Sequence, residues 1–255
     1  MIDILRTRLA MRTSPKVILI TGASSGIGRG LAMAYAEPDR VLLLIGRNKN
    51  ALLSLSEQLT NKGAIVKTAR IDVSNQSRMA HWITEMDELF PIDLVIANAG
   101  QSMNQALISD PDPHNAELAL LQTHFAGTLN TVLPCLQRMQ QRRCGQIAIM
   151  SSMNAYVPLG RSCIYGAVKA GLLHYALALS KRTKEYNISV TAICPGWVKT
   201  PLTDLNSFKM PGLLSLDQGV KRIMLGISKQ QSIVAFPFAL KWLITLGRLF
   251  KFIRP

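Results

Sequence analysis

The chain of 255 residues has few acidic residues and no long apolar run. Its 15 aspartates and glutamates stand against 29 lysines and arginines, which gives a formal net charge of +14. No uncharged apolar stretch reaches the ~18 residues that a membrane-spanning helix needs. Residues 1–16 are short, mixed and basic, without the apolar segment of a secretory signal. We therefore expect neither a spanning helix nor a secreted protein.

Cysteine is also scarce, and its spacing matches no known metal or redox motif. There is no C-x-x-C pair and no His/Cys spacing typical of a zinc site, so we expect no metal. Small, scattered cysteines are typical of buried positions in a reducing compartment, and this favours a cytoplasmic protein. The four cysteines are Cys135, Cys144, Cys163 and Cys194.

The excess of basic residues is concentrated at the C-terminal end, because Asp217 is the last acidic residue. Residues 236–255 form a basic tail in which a helical pattern separates the cations from the leucines and phenylalanines. Two interpretations stay open for it. In the first, the tail lies on the inner face of an anionic membrane as a peripheral contact. In the second, the apolar side of the tail packs on the domain or on another subunit. No recognition motif accompanies the charge, so no nucleic-acid partner is expected.

Short apolar runs alternate with segments of helical pattern along most of the chain. This alternation is typical of parallel strands covered by helices on both faces. It predicts one α/β domain over residues 16–235, a doubly wound parallel sheet (Rossmann fold) of about seven strands, after a basic extension at residues 1–15. The predicted strands are 17–21, 41–45, 65–71, 93–97, 146–150, 188–193 and 232–235. The predicted helices are 29–36, 52–59, 77–89, 115–142 and 163–185.

A glycine-rich turn follows the first predicted strand and predicts a dinucleotide site. Glycine lets the backbone approach a pyrophosphate closely, and the following helix offers free N–H groups and a positive dipole end. The residues of this turn that we expect at the cofactor are Gly22, Ser24, Ser25, Gly26, Ile27 and Gly28.

The ends of the next strands indicate which cofactor binds. An acidic residue after the second strand would bind the adenosine ribose hydroxyls, but Gly46 and Arg47 stand there instead. Because arginine binds phosphate through paired charge-assisted hydrogen bonds, we predict NADP(H), with NAD(H) left open. Asp72 is expected to accept from the adenine amino group. The backbone of Asn98, Ala99 and Gly100 is expected beside the adenosine ribose.

Tyr165 and Lys169 lie one helical turn apart, downstream of Ser152. A tyrosine has an ordinary pKa of about 10, and a neighbouring ammonium lowers the pKa by favouring the phenolate. A shift to near 7 requires about 4 kcal/mol of differential stabilisation. A serine hydroxyl beside the tyrosine can hold a substrate oxygen. The three residues together therefore suit proton transfer to oxygen during hydride chemistry.

These motifs together resemble the short-chain dehydrogenase/reductase family, over roughly residues 16–235. They are T-G-A-S-S-G-I-G at 21–28, D-V at 72–73, N-A-G at 98–100, S-S at 151–152, Y-G-A-V-K at 165–169 and P-G-W-V-K-T at 195–200. The resemblance implies that Tyr165 is the catalytic acid/base and that Lys169 binds the nicotinamide ribose. It implies that Ser152, rather than Ser151, binds the substrate oxygen. It also implies cofactor contacts for Val73, Pro195, Gly196, Val198 and Thr200.

One position departs from the family pattern. The family carries an asparagine three residues before a glycine in the long helix, where it holds a water in a proton relay to the lysine. Here the glycine is Gly127 and the matching residue is His124. Since histidine also binds water and titrates near neutral pH, it can substitute in the relay. The alternatives are an altered relay or a histidine that only packs in the helix.

The motifs predict an enzyme, an NADPH-dependent carbonyl reductase or alcohol dehydrogenase. The alternative is a non-catalytic dinucleotide-binding regulator or scaffold on the same fold. We expect residues 154–159 and 202–214 to border an apolar substrate, with Ser152, Asn154 and Trp197 in contact with it. The family resemblance also implies a homodimer or homotetramer formed through the helices near 115–142 and 163–185.

Overall fold

The computed structural model describes residues 14–160, 163–206 and 208–237. These residues form a seven-stranded, fully parallel sheet in the order β3-β2-β1-β4-β5-β6-β7. The basic tail predicted over residues 236–255 lies outside the described residues, except for its first two positions. The strands are β1 Val17–Thr21, β2 Val41–Gly46, β3 Ile65–Arg70, β4 Leu94–Ala97, β5 Gly145–Met150, β6 Ile188–Pro195 and β7 Ile233–Phe236.

Eight α-helices connect and cover the described strands. Side-chain caps start many of them, for example Asn48 before α2 and Asn75 before α3. A π-helical turn, Gln122–Ala126, joins two of the helices. The helices are α1 Gly26–Tyr35, α2 Lys49–Thr60, α3 Gln76–Leu89, α4 Met103–Ser109, α5 Pro113–Leu121, α6 Gly127–Arg142, α7 Cys163–Thr183 and α8 Leu216–Ser228.

The alternation of side chains along each strand builds two apolar layers, one on each face of the sheet. In β1, Val17 and Leu19 join the layer beneath α3, α6 and α7, whereas Ile18 and Ile20 join the layer beneath α1, α2 and α8. Both layers are closed to solvent, which explains why β1 and β2 read as continuous apolar runs. The doubly wound fold predicted from the sequence is confirmed.

The winding of the chain reverses at β1, which pairs with β2 on one side and with β4 on the other. In such sheets a crevice opens between the two connections that leave in opposite directions, at the carboxyl ends of the strands. All seven described strands are parallel, so all their carboxyl ends meet at this one edge. The predicted functional residues follow these ends in the sequence.

The predicted strands match the observed ones to within two residues at each end. Two helices, the short α4 and the longer α8, were not predicted. The segment predicted as one helix over 115–142 starts earlier, at Pro113, and is interrupted by the π-helical turn. The interruption has a local consequence, because it places His124 in a wider turn of the backbone than a regular α-helix would.

One helix in the described part of the chain has the length and composition of a membrane span. This is Cys163–Tyr186, with a mean hydropathy of 1.2, and about a third (33%) of the apolar window is buried inside the protein. A helix of a globular core passes the same test, so the finding is weak evidence for a membrane. In this fold the helix packs against β5 and β6 and carries Tyr165 and Lys169.

Candidate active site

A cavity of about 390 Å³ opens at the carboxyl edge of the sheet, over the switch point. It brings together residues from the ends of six strands, β1 to β6, and from α7. Of the predicted site residues, Gly28, Asn154 and Trp197 do not line it. The others do: Gly22, Ser24, Ser25, Gly26, Ile27, Arg47, Asp72, Val73, Asn98, Ala99, Gly100, His124, Ser152, Tyr165, Lys169, Pro195, Gly196, Val198 and Thr200.

The turn between β1 and α1 depends on glycine at two positions. Gly22 has a φ of +68°, in the left-handed region that favours glycine. A Cβ on Gly28 would lie 2.3 Å from the carbonyl oxygen of Gly22, so only glycine fits there. Ser25 precedes α1 without a side-chain cap, so the first N–H groups of this helix face the cavity without a side-chain acceptor.

Asn98 joins the two strands that flank the switch point. Its side-chain amide donates to the carbonyl oxygen of Thr21 at 2.9 Å, and its backbone N–H donates to the Thr21 hydroxyl at 3.1 Å. The Ala99 N–H donates to the same hydroxyl at 3.2 Å. These bonds fix the end of β4 against the end of β1. They leave Ala99 and Gly100 at the cavity surface, and their place beside the adenosine ribose stays a prediction.

Arg47 lies at the end of the cavity where the sequence predicts the adenosine. One guanidinium nitrogen lies 3.7 Å from a carboxylate oxygen of Asp72, and another donates to the Gln101 side chain at 3.4 Å. Sequence reasoning missed Gln101, which is buried although it is polar. The only feature of the sequence that points to Gln101 is its position directly after the N-A-G motif.

Ser152 and Tyr165 face each other across the cavity and share a side-chain hydrogen bond. Burial raises the pKa of Tyr165 above its ordinary 10.0, and the hydrogen bond from Ser152 opposes the increase in pKa. The sequence predicted the opposite direction, a pKa lowered by Lys169. That prediction is wrong for the free protein, because desolvation of the phenolate is the largest influence on this group.

The environment of Lys169 explains in part why the pKa of Tyr165 is raised rather than lowered. Its ammonium donates to the carbonyl oxygen of Met150 at 2.9 Å and lies 5.6 Å from the centroid of the Tyr165 ring. The ammonium therefore lies over the ring face of the tyrosine. Burial lowers the pKa of Lys169 from 10.5 to about 7, so the charge that would favour a phenolate is itself disfavoured here.

The two adjacent serines have different environments. The Ser151 hydroxyl is buried and donates to the carbonyl oxygen of Lys169 at 2.8 Å, which ties the end of β5 to α7. The Ser152 hydroxyl accepts from the Asn154 N–H at 3.1 Å and also contacts Tyr165. Ser152 is therefore the serine placed beside the tyrosine oxygen, and Asn154 contributes through its backbone.

His124 is buried in the π-helical turn, next to Tyr165. Its Nε2 lies 2.8 Å from the Gln101 carbonyl oxygen and 3.1 Å from the Gln101 backbone nitrogen, and the tautomer decides which bond forms. Its ring meets the Tyr165 ring edge-on, with 5.5 Å between centroids. Nδ1 is buried and has no hydrogen-bond partner among the described residues. Burial and the nearby Lys169 charge lower the pKa of His124 to about 3, so it is neutral at physiological pH.

The segment after β6 borders the other end of the cavity, and only part of the predicted apolar wall is there. Leu202 lines the cavity. Phe208 instead packs on the Trp197 ring, with 5.3 Å between centroids, and Leu205 and Leu213 are exposed. Sequence reasoning missed Thr203. Its buried hydroxyl accepts from the Thr200 N–H and donates to carbonyl oxygens of the same loop.

Comparison with known proteins identifies the class to which this site belongs. A model of the short chain dehydrogenase family matches residues 16–209. An uncharacterized oxidoreductase of Myxococcus xanthus (strain DK1622) is 31% identical over 228 residues, which is 89% of this chain and 89% of that protein. The 11-beta-hydroxysteroid dehydrogenase A of Arachis hypogaea is 30% identical over 225 residues, covering 88% of this chain and 64% of that protein.

Solved structures share the fold. A short-chain dehydrogenase from Sphingobium yanoikuyae in complex with NADPH has a TM-score of 0.79 at 24% identity, covering 93% of this chain and 94% of that chain. The bulky-bulky ketone specific alcohol dehydrogenase from Comamonas testosteroni has a TM-score of 0.78 at 24% identity, covering 93% of both chains. The chain belongs to the short-chain dehydrogenase family. It is an NAD(P)-dependent oxidoreductase.

Proposed function

We propose that the protein reduces a ketone or aldehyde with NADPH, and that Tyr165 donates the proton. One observation carries this proposal. Ser152, Tyr165 and Lys169 line the same cavity as the glycine-rich turn, so a carbonyl group and a dinucleotide bound there would meet. The cofactor, when bound, supplies the hydride.

The residues of the chain fit a dinucleotide. The turn at Gly22 and Gly28 leaves no room for a Cβ, which brings the backbone to the surface of the cavity. The first N–H groups of α1 lack a side-chain cap and suit a pyrophosphate. Pro195 and Gly196 line the opposite end, beside Lys169, where the nicotinamide would be held.

The proton chemistry follows from the environment of Tyr165. Because burial raises its pKa, the phenol stays protonated at neutral pH and is a donor, as reduction requires. Ser152 donates a second hydrogen bond to the same substrate oxygen and stabilises the charge that develops on it. Lys169 stabilises the tyrosine as it gives up its proton.

The preference for NADPH rests on Arg47. The end of β2 has no acidic side chain to bind free ribose hydroxyls, and Arg47 lines the cavity at that point. A guanidinium binds a phosphate group through two parallel hydrogen bonds, which favours a 2′-phosphate.

An apolar carbonyl compound is the substrate class that we propose. The loop after β6 places Pro201 and Leu202 on the cavity, close to the catalytic end. Two of the similar proteins carry names that refer to a steroid and to bulky ketones, both of which are apolar carbonyl or alcohol substrates.

A substrate screen tests this function. Medium-sized and bulky apolar ketones and aldehydes are mixed with the protein and NADPH, and the nicotinamide absorbance is followed, with NADH in parallel. We expect turnover that Tyr165→Phe removes, and a higher kcat/KM with NADPH. A protein that binds NADPH but turns over no carbonyl compound, and that oxidises no alcohol with NADP⁺, would instead be a dinucleotide-binding regulator.

We also propose a homodimer or homotetramer built on α6 and α7, in agreement with the exposed apolar side chains of Leu118, Leu121 and Leu133 on and around α6. Sedimentation analysis tests it, and a monomer at micromolar concentration would contradict it.

For the basic tail we propose contact with an anionic membrane. Deletion of residues 238–255 is expected to abolish co-sedimentation with phosphatidylserine vesicles, and unchanged co-sedimentation would exclude this role.

A further inference from the structure

A second cavity, of about 650 Å³, adjoins the first at Arg47 and is lined almost entirely by cations. Its lining residues are Arg47, Lys49, Arg70, Asp72 and Arg78. Lys49, Arg70 and Arg78 lie at the start of α2, the end of β3 and the first turn of α3, and Arg47 and Asp72 lie in the loops after β2 and β3. The two cavities share Arg47 and Asp72, so the second one continues the adenosine end of the dinucleotide site.

The position of Arg78 is fixed by bonds at both ends of the residue. Its backbone N–H donates to the Asn75 side chain, the cap of α3, at 3.0 Å. One nitrogen of its guanidinium donates to the Arg70 carbonyl oxygen, also at 3.0 Å. This bond uses one of the five N–H groups of an arginine, and within the described part of the chain the guanidinium makes no other hydrogen bond.

Arg70 is brought to the same place by the register of the sheet. It is the last residue of β3 and pairs with Gly46, the residue before Arg47. Its side chain is exposed on the edge strand. Arg47 and Arg70 therefore lie at the carboxyl ends of neighbouring strands, and Arg78 lies beside them at the start of the helix that follows β3.

The positive charge of this cavity is poorly compensated. The one acidic lining residue is Asp72, and its ion pair with Arg47 is long, at 3.7 Å. The other carboxylate oxygen of Asp72 accepts from the N–H and the hydroxyl of Ser74. Within the described ranges, Lys49, Arg70 and Arg78 pair with no carboxylate. Clustered cations of this kind attract a multiply charged anion.

We propose that Arg78 and Arg70 complete, with Arg47, a binding site for a phosphomonoester on the ribose of an adenine nucleotide, the 2′-phosphate of NADP(H). This proposal rests on the cofactor choice proposed above and adds two binding residues to it. A phosphate dianion offers three acceptor oxygens, enough to be shared by guanidinium groups from three elements. The 3′-phosphate of a coenzyme A-type nucleotide has the same chemistry, and the titrations below separate the two.

Calorimetric titration with nucleotide fragments tests the site without turnover. The fragments are 2′,5′-ADP, 3′,5′-ADP and 5′-AMP, which lacks the second phosphate. We expect the wild type to bind 2′,5′-ADP most tightly, and Arg78→Gln and Arg70→Gln each to weaken it by roughly tenfold, since a charge-assisted hydrogen bond is lost. Binding of 5′-AMP should be unchanged, which also shows that the variants are folded.

Two substitutions serve as matched controls for the loss of one charge. Lys67→Gln removes an exposed cation from β3 that does not line the cavity, and Arg138→Gln removes an arginine on α6. Both should leave 2′,5′-ADP binding unchanged. If Arg78→Gln unfolds, Arg78→Lys keeps the charge but loses the planar fork, and a severalfold weaker binding of 2′,5′-ADP is expected.

Equal binding of 2′,5′-ADP and 5′-AMP by the wild type would overturn the proposal, as would unchanged binding in both arginine variants. Tighter binding of 3′,5′-ADP than of 2′,5′-ADP would assign the site to a 3′-phosphate and overturn the 2′ assignment. These outcomes are independent of the proposed carbonyl reduction. The proposed carbonyl reduction is contradicted only by an absence of turnover, whatever the result of the fragment titrations.

Discussion

Gly100 leaves room for the ring of His124, because any side chain at position 100 would collide with that ring. A Cβ on Gly100 would lie 2.4 Å from Cε1 of the His124 ring and 2.9 Å from its Nδ1. The ring in turn meets Tyr165 edge-on and is bonded to the Gln101 backbone. The third residue of the N-A-G motif therefore leaves room for the histidine that lies beside Tyr165, the proposed proton donor.

This contact predicts a strong coupling between the two positions. Gly100→Ala should displace the His124 ring and lower both stability and kcat/KM. In the double variant Gly100→Ala/His124→Ala the added methyl group has space, so its cost should largely disappear, with a coupling free energy of about 0.5–3 kcal/mol. Denaturant unfolding and steady-state kinetics of the four proteins measure it. Strictly additive effects would contradict the contact.

Tyr165→Phe removes the proposed proton donor and keeps the ring that His124 contacts. We expect kcat for carbonyl reduction to fall by about 10²–10⁴-fold, the usual contribution of a general acid. NADPH affinity, measured by fluorescence titration, should change little, because the phenol oxygen is one small part of the cofactor site. Ser152→Ala should lower kcat as well, by a smaller factor. Near-normal turnover by Tyr165→Phe would remove the tyrosine from the mechanism.

Replacement of His124 separates a relay role from a positioning role. Since its pKa is about 3, His124 does not titrate between about pH 5 and pH 8. We expect the pH profile of kcat/KM for His124→Asn to have the same apparent pKa values as that of the wild type. Loss of the ring contact with Tyr165 should lower kcat by at most about tenfold. A limb near pH 6.5 that is present in the wild type and absent in the variant would show that the histidine takes part in proton transfer.

Burial of Lys169 makes stability depend on pH. Its pKa is about 7 in the folded chain and 10.5 ordinarily, so between these values the unfolded chain binds more protons. Stability from this group therefore rises with pH across that window and is constant below it. Compared with Lys169→Met, the wild type should gain stability from about pH 7 towards pH 10 in denaturant unfolding. Parallel stability curves for the two proteins would contradict the lowered pKa.

Asp87 supports the fold away from the cavity. Its side chain is 2% exposed, accepts twice from Arg142 and also accepts from the Ile92 N–H. Asp87→Ala leaves an arginine without its partner and should cost on the order of 3 kcal/mol of unfolding free energy. Glu88→Ala, which breaks the exposed pair with Arg138, should cost less than about 1 kcal/mol. Equal losses in the two variants would show that burial is not the cause.

The strands, and most of the residues that line the cavity, could be predicted because their signals are local and repeated. The runs at β1 and β2 are apolar on both faces and end in glycine, which leaves few alternatives for their structure. The helices α4 and α8 carried a local signal too, which was not used. Ser102 with Gln105, and Ser215 with Gln218, form capping boxes, the S-x-x-Q pattern of a helix start.

Other features depend on contacts between distant parts of the chain. The pKa of Tyr165 follows from burial by neighbouring elements, which outweighs the lysine one turn away. The π-helical turn at His124 has no recognised sequence signal. The cluster of Arg47, Arg70 and Arg78 exists only because the register of β2 with β3 sets two strand ends side by side.

The reversal of winding at β1 divides the protein into two parts with separate tasks. Most residues expected at the adenosine and the phosphates follow β1 to β3, with Asn98, Ala99 and Gly100 after β4, whereas those expected at the nicotinamide and the reacting carbonyl follow β5 and β6 or lie on α7. A change of cofactor and a change of substrate can thus be acquired by independent substitutions in different stretches of chain. Grafting the short connection after β2 from an NADH-using relative is the corresponding engineering route.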